Sequence, residues 1–306
     1  MNFRGFAPAI SITFPRTFLP ITISRASLPG GCEGLSRESG RQLQQPLPGN
    51  YVPAAREPKA ASCRCSRMIR VASYNIRRGL GTDWRRSLRR CVAVLREVDA
   101  DVVALQESDP DFTEHLEAEA AEAIEATTPY VPVRLQDRDD AVGWRGNMLL
   151  MREGMTAIRT ASVALHSPEQ PRGALVADVG AGGSTIRIVG LHLGLLGGWR
   201  VQQAFTLLQH LQLSAPQLPM IIMGDFNEWQ EGGGALRQFL NDHEVAATGR
   251  SFHSRLPVAS LDKIIHSREL QVLAAGVHRS PLARQASDHL PIWAHLDHRS
   301  ARSEEC

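Results

Sequence analysis

From Ile69 onward the chain alternates short, apolar, β-prone runs with stretches whose apolar positions recur at helical spacing, which restricts it to a layered α/β fold. Ile69–Tyr74 and Asp101–Leu105 read as strands on either side of a helical stretch, Arg85–Val98, in which Leu88, Val92, Val94, Leu95 and Val98 share one face. A Glu/Ala-rich helix is expected over Pro110–Thr127, its acids forming a solvated face. Further strands are expected at Asn147–Met151, Ala174–Val179, Thr185–Leu191, Pro219–Met223, Leu261–His266 and Pro291–Leu296, and a further helix at Arg200–Leu213. No internal repeat is visible. No apolar run approaches the roughly 20 residues of a membrane span, so no transmembrane segment is expected.

The first 67 residues have a different composition. They are rich in Pro, Arg, Ser, Gly and Gln and show no periodicity, which reads as a disordered or linker-like extension. Their first 30 residues contain Arg4, Arg16 and Arg25 but no acid, which also suits a targeting peptide. The simpler expectation is that Met68, directly before the first strand, is the natural start. The catalytic domain is then expected over 68–298, with a tail at 299–306. The extension carries nine Lys/Arg against three Asp/Glu, and the remainder 25 against 29, so the overall charge of +2 conceals a slightly acidic domain. That balance argues against a long nucleic-acid footprint, which needs a basic face. Of the five cysteines only Cys91 lies in the patterned region, and Cys63-x-Cys65 lacks a second pair at zinc spacing. This usage suits a reducing compartment, hence a cytoplasmic location.

Polar residues recur where the strands end. Asn75 follows the first strand, Gln106-Glu107 the second, His192 the run Ile188–Leu191, and Asp225 and Asn227 the run Met220–Gly224. Asp262 follows Leu261, and Asp288-His289 precedes Leu290-Pro291-Ile292. Strand ends of one sheet share a rim, so these groups can converge. Taken singly, each reads as a surface acid or turn residue. Together they would repel and resist burial unless a cation relieved them.

The segments Ser73-Tyr74-Asn75-Ile76, Leu105-Gln106-Glu107, Gly190-Leu191-His192-Leu193, Gly224-Asp225-Phe226-Asn227, Leu261-Asp262-Lys263-Ile264 and Ser287-Asp288-His289-Leu290-Pro291 resemble, in order, the signatures of the endonuclease/exonuclease/phosphatase superfamily. The resemblance implies a four-layer α/β/β/α sandwich of two packed mixed sheets, as in DNase I, with the site at one rim. It implies a metal-dependent phosphoesterase that attacks phosphorus in line with water. Mg²⁺, with Mn²⁺ as a substitute, would be held by Glu107 with Asn75, and Asp288 would add to that site or shape it. By the same resemblance Asp225 positions or deprotonates the water, and Asn227 and His192 contact the phosphate. His289 donates to a phosphoryl oxygen and is oriented by Asp262. Arg172 in Pro171-Arg172-Gly173 either lies over a phosphate or belongs to a solvated loop.

The superfamily cleaves DNA, RNA, inositol phosphates and sphingolipids, so membership leaves specificity open. The chain departs from the DNA-repair branch at Ser108-Asp109, where that branch carries a Lys, and at His192, where it carries a Tyr. It also lacks that branch's Trp/Arg-rich stretch, having Leu256–Ser260 instead. His192 is more like the DNase I and sphingomyelinase branches, and the chain looks most like small bacterial members. The expected substrate is a phosphodiester of a lipid headgroup or small nucleotide, with DNA or RNA cleavage as the alternative. A non-catalytic binding module would lack the metal and base residues that are present here. No obligate protein partner is inferred.

Overall fold

The computed structural model describes residues 68–299 except 109–113 and 182. The extension, the first residues of the helix expected from Pro110, and the tail beyond Arg299 lie outside the described residues. Two six-stranded mixed sheets make up the domain. The first runs in the order β11 (Leu270–Val277), β12 (Ile292–His298), β1 (Ile69–Asn75), β2 (Val102–Gln106), β4 (Asn147–Arg152) and β3 (Tyr130–Pro132). The second runs β5 (Ala157–Leu165), β6 (Arg172–Ala181), β7 (Ser184–His192), β8 (Met220–Asp225), β10 (Asp262–Ser267) and β9 (His243–Val245). Only β1–β2 and β7–β8 pair in parallel; the other neighbours are antiparallel.

The strands are apolar on both faces because both faces are covered. Along β1, β2 and β4, Val71, Val102, Ala104 and Leu149 face the second sheet, where they meet Leu175, Ile186, Ile188, Ile221, Met223 and Ile264. The intervening Ala72, Tyr74, Val103, Leu105, Met148 and Leu150 face outward. They are covered by α1 (Leu88–Val98), α2 (Glu114–Thr127) and α5 (Pro281–Ala286). On the other side α3 (Gly197–Leu213) lays Ala204, Leu207 and Leu211 over Val189, Leu191 and Ile222, joined by Phe239 of α4 (Gly234–Phe239). The result is the expected α/β/β/α sandwich. None of the helices in the described residues is long and apolar enough to cross a membrane.

One glycine is required by the sheet that carries the site. A Cβ on Gly224 would lie 1.9 Å from the Leu191 carbonyl oxygen, so only Gly lets β8 approach β7 at the residue before Asp225.

Candidate active site

Strand register brings the polar strand ends together. In β7–β8 His192 lies opposite Asp225, and in β8–β10 Asp262 lies opposite the same Asp225. Asn75 ends β1 beside Gln106 of β2, so Glu107 follows at the adjacent corner. His289 arrives from the loop before β12, whose path is fixed by the Ser287 hydroxyl donating to the Asn75 carbonyl (2.7 Å). Two corner residues adopt left-handed backbone angles, Glu107 (φ 52°) and Asn227 (φ 49°). Asn tolerates that region, whereas Glu is strained there by about 1–2 kcal/mol.

Asp225 is the hub. Its Oδ1 accepts from the Asn227 backbone N–H (2.9 Å) and its Oδ2 from Asn75 Nδ2 (3.0 Å). His192 Nε2 stands 3.5 Å and His289 Nε2 3.7 Å from the same Oδ2. Asn75 Nδ2 also donates to Glu107 Oε1 (3.3 Å), while its Oδ1 accepts from the Arg77 N–H (3.0 Å). Since both carboxylates need a donor, the amide nitrogen must face them. Asn75 therefore bridges two acids that would otherwise repel.

The two histidines are in opposite states. Arg172 Nη1 is 2.9 Å from His192 Nδ1, and a guanidinium can only donate, so the imidazole carries its proton on Nε2. Burial first, and then the Arg172 charge, push its pKa down to about 3, leaving it neutral. That Nε2 also lies 3.1 Å from Asn227 Nδ2, which donates to the Leu193 carbonyl (2.9 Å); two N–H groups cannot bond each other, so the Nε2 proton needs another acceptor. His289 is buried too, and burial opposes its charge, but Asp262 and Asp225 outweigh it and hold the pKa up to about 10. At neutral pH it is an imidazolium, with Nδ1 donating to Asp262 Oδ2 (2.9 Å) and Nε2 left facing Asp225 and the cleft. The Ser251 hydroxyl donates to the same Asp262 oxygen.

These groups open on a cleft of about 330 Å³ lined by Glu107, Arg172, His192, Asp225, Asn227 and His289, with Arg78 and Arg145 on its wall. Asn75 and Asp262 stand directly behind that lining. Arg172, which the sequence left between a ligand and a solvated loop, is buried as the first residue of β6. Asp288 is placed differently from its neighbours: it is ion-paired with Arg77 (3.1 Å) and does not line the cleft. Arg145, Arg78 and Ser251 were not singled out from the sequence as site residues. Arg145 lies two residues before the expected strand Asn147–Met151, and Arg78 two residues after the Ser73–Ile76 signature, and those positions were the available signal; Ser251 had none.

Among the described residues, Asp225, Asp262 and His289 offer potential metal-ligand atoms within 4.8 Å of one another. Carboxylates steadied by amides and facing cationic donors suit phosphate esters, whose hydrolysis needs charge stabilised on three oxygens at once. By fold and site the protein is a metal-dependent phosphoric ester hydrolase of the phosphodiesterase/nuclease type. A model described as "Endonuclease/Exonuclease/phosphatase family" matches residues 72–289, and the chain belongs to that family.

Solved structures of the same fold include an endonuclease/exonuclease/phosphatase from Bacteroides vulgatus (18% identity, TM-score 0.62, covering 76% of this chain and 99% of that one). A mannosyl-6-phosphatase of Bacteroides thetaiotaomicron is similar at 19% identity and TM-score 0.59 (74% and 99% covered). The human Nocturnin catalytic domain with bound sulfate is similar at 21% and 0.56 (76% and 95% covered). No curated protein sequence matches the chain.

Proposed function

We propose that the protein hydrolyses a phosphodiester of a lipid headgroup or small nucleotide, with Mg²⁺ as its ion and water as nucleophile. The observation that carries this reading is a neutral and a cationic histidine on the same Asp225 oxygen, His192 at 3.5 Å and His289 at 3.7 Å. Such a centre can hold an ionised carboxylate and offer two ring N–H donors to phosphoryl oxygens at once. Asp225 orients the attacking water, its oxygens being fixed by Asn75 and Asn227. His289 donates Nε2–H to the phosphoryl oxygen that gains charge, and Asp262 keeps the ring in that orientation. Asn227, His192 and Arg172 contact the remaining phosphate oxygens.

The donor set fits Mg²⁺. Glu107 is a half-buried hard-oxygen ligand at the cleft wall, with room beside it for the waters Mg²⁺ retains. Asp225 adjoins it through Asn75. The ion, or Mn²⁺ in its place, supplies polarisation of the phosphoryl oxygen and stabilisation of the leaving oxygen. Asp262 could offer the ion only its Oδ1, which has no hydrogen-bond partner among the described residues, since its Oδ2 already accepts from His289 and Ser251.

The small cleft and the acid excess of residues 68–306 support a compact substrate over long nucleic acid. The free, buried Cys91, its thiol pushed up to about 12 by burial, supports a reducing cytoplasmic setting. The test is a panel comprising phosphodiester-headgroup lipid vesicles, the p-nitrophenyl ester of thymidine 5′-phosphate, and supercoiled plasmid. Turnover of a lipid or nucleotide ester about tenfold above plasmid cleavage is expected. Plasmid cleavage as the fastest reaction would replace this reading with a nuclease.

A further inference from the structure

The cleft carries an arginine that the Asp225 centre does not use. Arg78, Arg145 and Arg172 line it opposite two carboxylates, Glu107 and Asp225, while His289 is paired with Asp262. Arg172 holds His192 (2.9 Å), whereas Arg145 lies outside that centre. It sits in left-handed backbone (φ 51°) before Gly146, and its Nη1 donates to the Arg172 main-chain carbonyl (2.7 Å). Its guanidinium lies over the Trp144 ring (4.4 Å to the centroid), with Arg138 3.9 Å from the centroid of the same ring.

The loop carrying Arg145 is held from behind. Asn147 Nδ2 donates to the carbonyls of Arg145 (3.3 Å) and Gly173 (3.2 Å). A Cβ on Gly173 would come within 2.7 Å of the Trp144 ring, so the ring rests directly on β6. Burial first, and then the charge of Arg138, lower the pKa of Arg145. Beyond Arg145 and Gln170 the cleft continues into a side pocket of about 230 Å³ that shares both residues and runs along Leu165–Pro171.

We infer that Arg145, braced on Trp144 at the junction of the two pockets, is a specificity residue for a second phosphate on the substrate. The preferred substrate class is therefore a phosphate ester of a nucleoside or polyol that already carries another phosphate. The bidentate fork of Arg145 suits a terminal phosphate, and its stacked, partly desolvated position strengthens that contact. Exposed Glu169 also lines the side pocket, so the second phosphate is assigned to the junction, beside Arg145 and Gln170.

This inference rests on the phosphoesterase reading, and the test separates the two. Thymidine 5′-(p-nitrophenyl phosphate) and the same ester bearing a 3′-phosphate release one chromophore and differ only in the second charge. In Mg²⁺, the wild type should favour the 3′-phosphorylated ester by about 10–100-fold in kcat/KM, mainly through KM, as a charge-assisted contact allows. Arg145→Gln should bring the ratio close to one, and Arg145→Lys should restore part of it. The corresponding inositol ester pair, with and without a second phosphate, shows whether a polyol or a nucleoside carries the group; a preference in either pair supports the inference.

Equal kcat/KM within both pairs in the wild type overturns it, as does an undiminished preference in Arg145→Gln. If no ester is hydrolysed, the phosphoesterase reading fails and the subsite is judged by calorimetry. Thymidine 3′,5′-bisphosphate binding about tenfold or more tighter than thymidine 5′-phosphate, with the advantage lost in Arg145→Gln, supports it. Equal affinities overturn it.

Discussion

Replacing Asp262 by Asn removes one charge from the centre of the site and almost nothing else. The carboxylate is fully buried, and its Oδ2 accepts from both His289 Nδ1 (2.9 Å) and the Ser251 hydroxyl. An Asn oxygen can still accept from His289 and Ser251, but its nitrogen takes the place of Oδ1, which has no partner among the described residues, so shape persists while one buried donor goes unmet. The stability loss should be about 1–3 kcal/mol, the cost of weakening buried hydrogen bonds to a charged group. That corresponds to a Tm lower by about 2–4 °C per kcal/mol. Turnover should fall further, by about 10²–10³-fold, because His289 loses the partner that holds its ring as a donor. At 1.36 kcal/mol per decade that is about 3–4 kcal/mol of transition-state stabilisation. The assay is kcat on bis-p-nitrophenyl phosphate with a thermal melt on the same preparation. Combined with His289→Ala, the change should cost no more than about threefold beyond His289→Ala alone, since the two residues act as a unit. Near-normal turnover per folded molecule, or fully multiplicative losses, would refute the pairing; the first outcome would leave Asp288-His289 as a strand terminus only.

Glu107→Gln keeps the volume and removes the charge. The Mg²⁺ concentration for half-activation should rise by at least about tenfold with partial recovery at high Mg²⁺, whereas Asp262→Asn should leave it nearly unchanged. The reverse pattern would move the ion to the Asp225–Asp262–His289 cluster. Gly224→Ala drives a methyl into the Leu191 carbonyl, with 1.9 Å available, so β7 and β8 must part. A cost near the top of about 1–3 kcal/mol should lower Tm by roughly 6–12 °C, and an unchanged calorimetric Tm would contradict the close approach. A chain beginning at Met68 should keep the melt and turnover of the full chain, because the family match spans 72–289; an insoluble or inactive shortened protein would contradict that boundary.

Much of this was legible before the structure because the central strands are buried on both faces. Runs such as Val102–Leu105 and Met220–Met223 are apolar at every position, which marks them as interior strands of a sheet. The unrecognised strands are short or peripheral. β5 and β11 lie at sheet edges with mixed exposure, and neither Arg159 nor the Ala274-Ala275-Gly276 stretch advertises a strand. β3 and β9 have three residues each and α5 has six, too few to display a period. α1 begins at Leu88 rather than Arg85 because Arg86 forms a bridge with Leu80 and Ser87 precedes the first turn.

The convergence of strand-end residues was readable from their positions; their division of labour was not. Which atom of Asn75 faces Glu107, or that Asp288 turns to Arg77 while His289 turns to Asp262, depends on neighbours from 27 to more than 200 residues away. Opposite protonation of two buried histidines likewise follows from Arg172 beside one and two carboxylates beside the other, contacts that exist only after folding.

The claim that the strand-end cleft performs metal-dependent phosphodiester hydrolysis is tested most directly by titrating Mg²⁺ into EDTA-stripped protein with bis-p-nitrophenyl phosphate, using wild type and Asp225→Asn side by side. The wild type should be inactive without metal and saturate with Mg²⁺, and Asp225→Asn should be about 10³-fold slower at saturation while retaining its fold. Hydrolysis that persists in EDTA, or an Asp225→Asn protein as fast as wild type, would contradict the account at its centre.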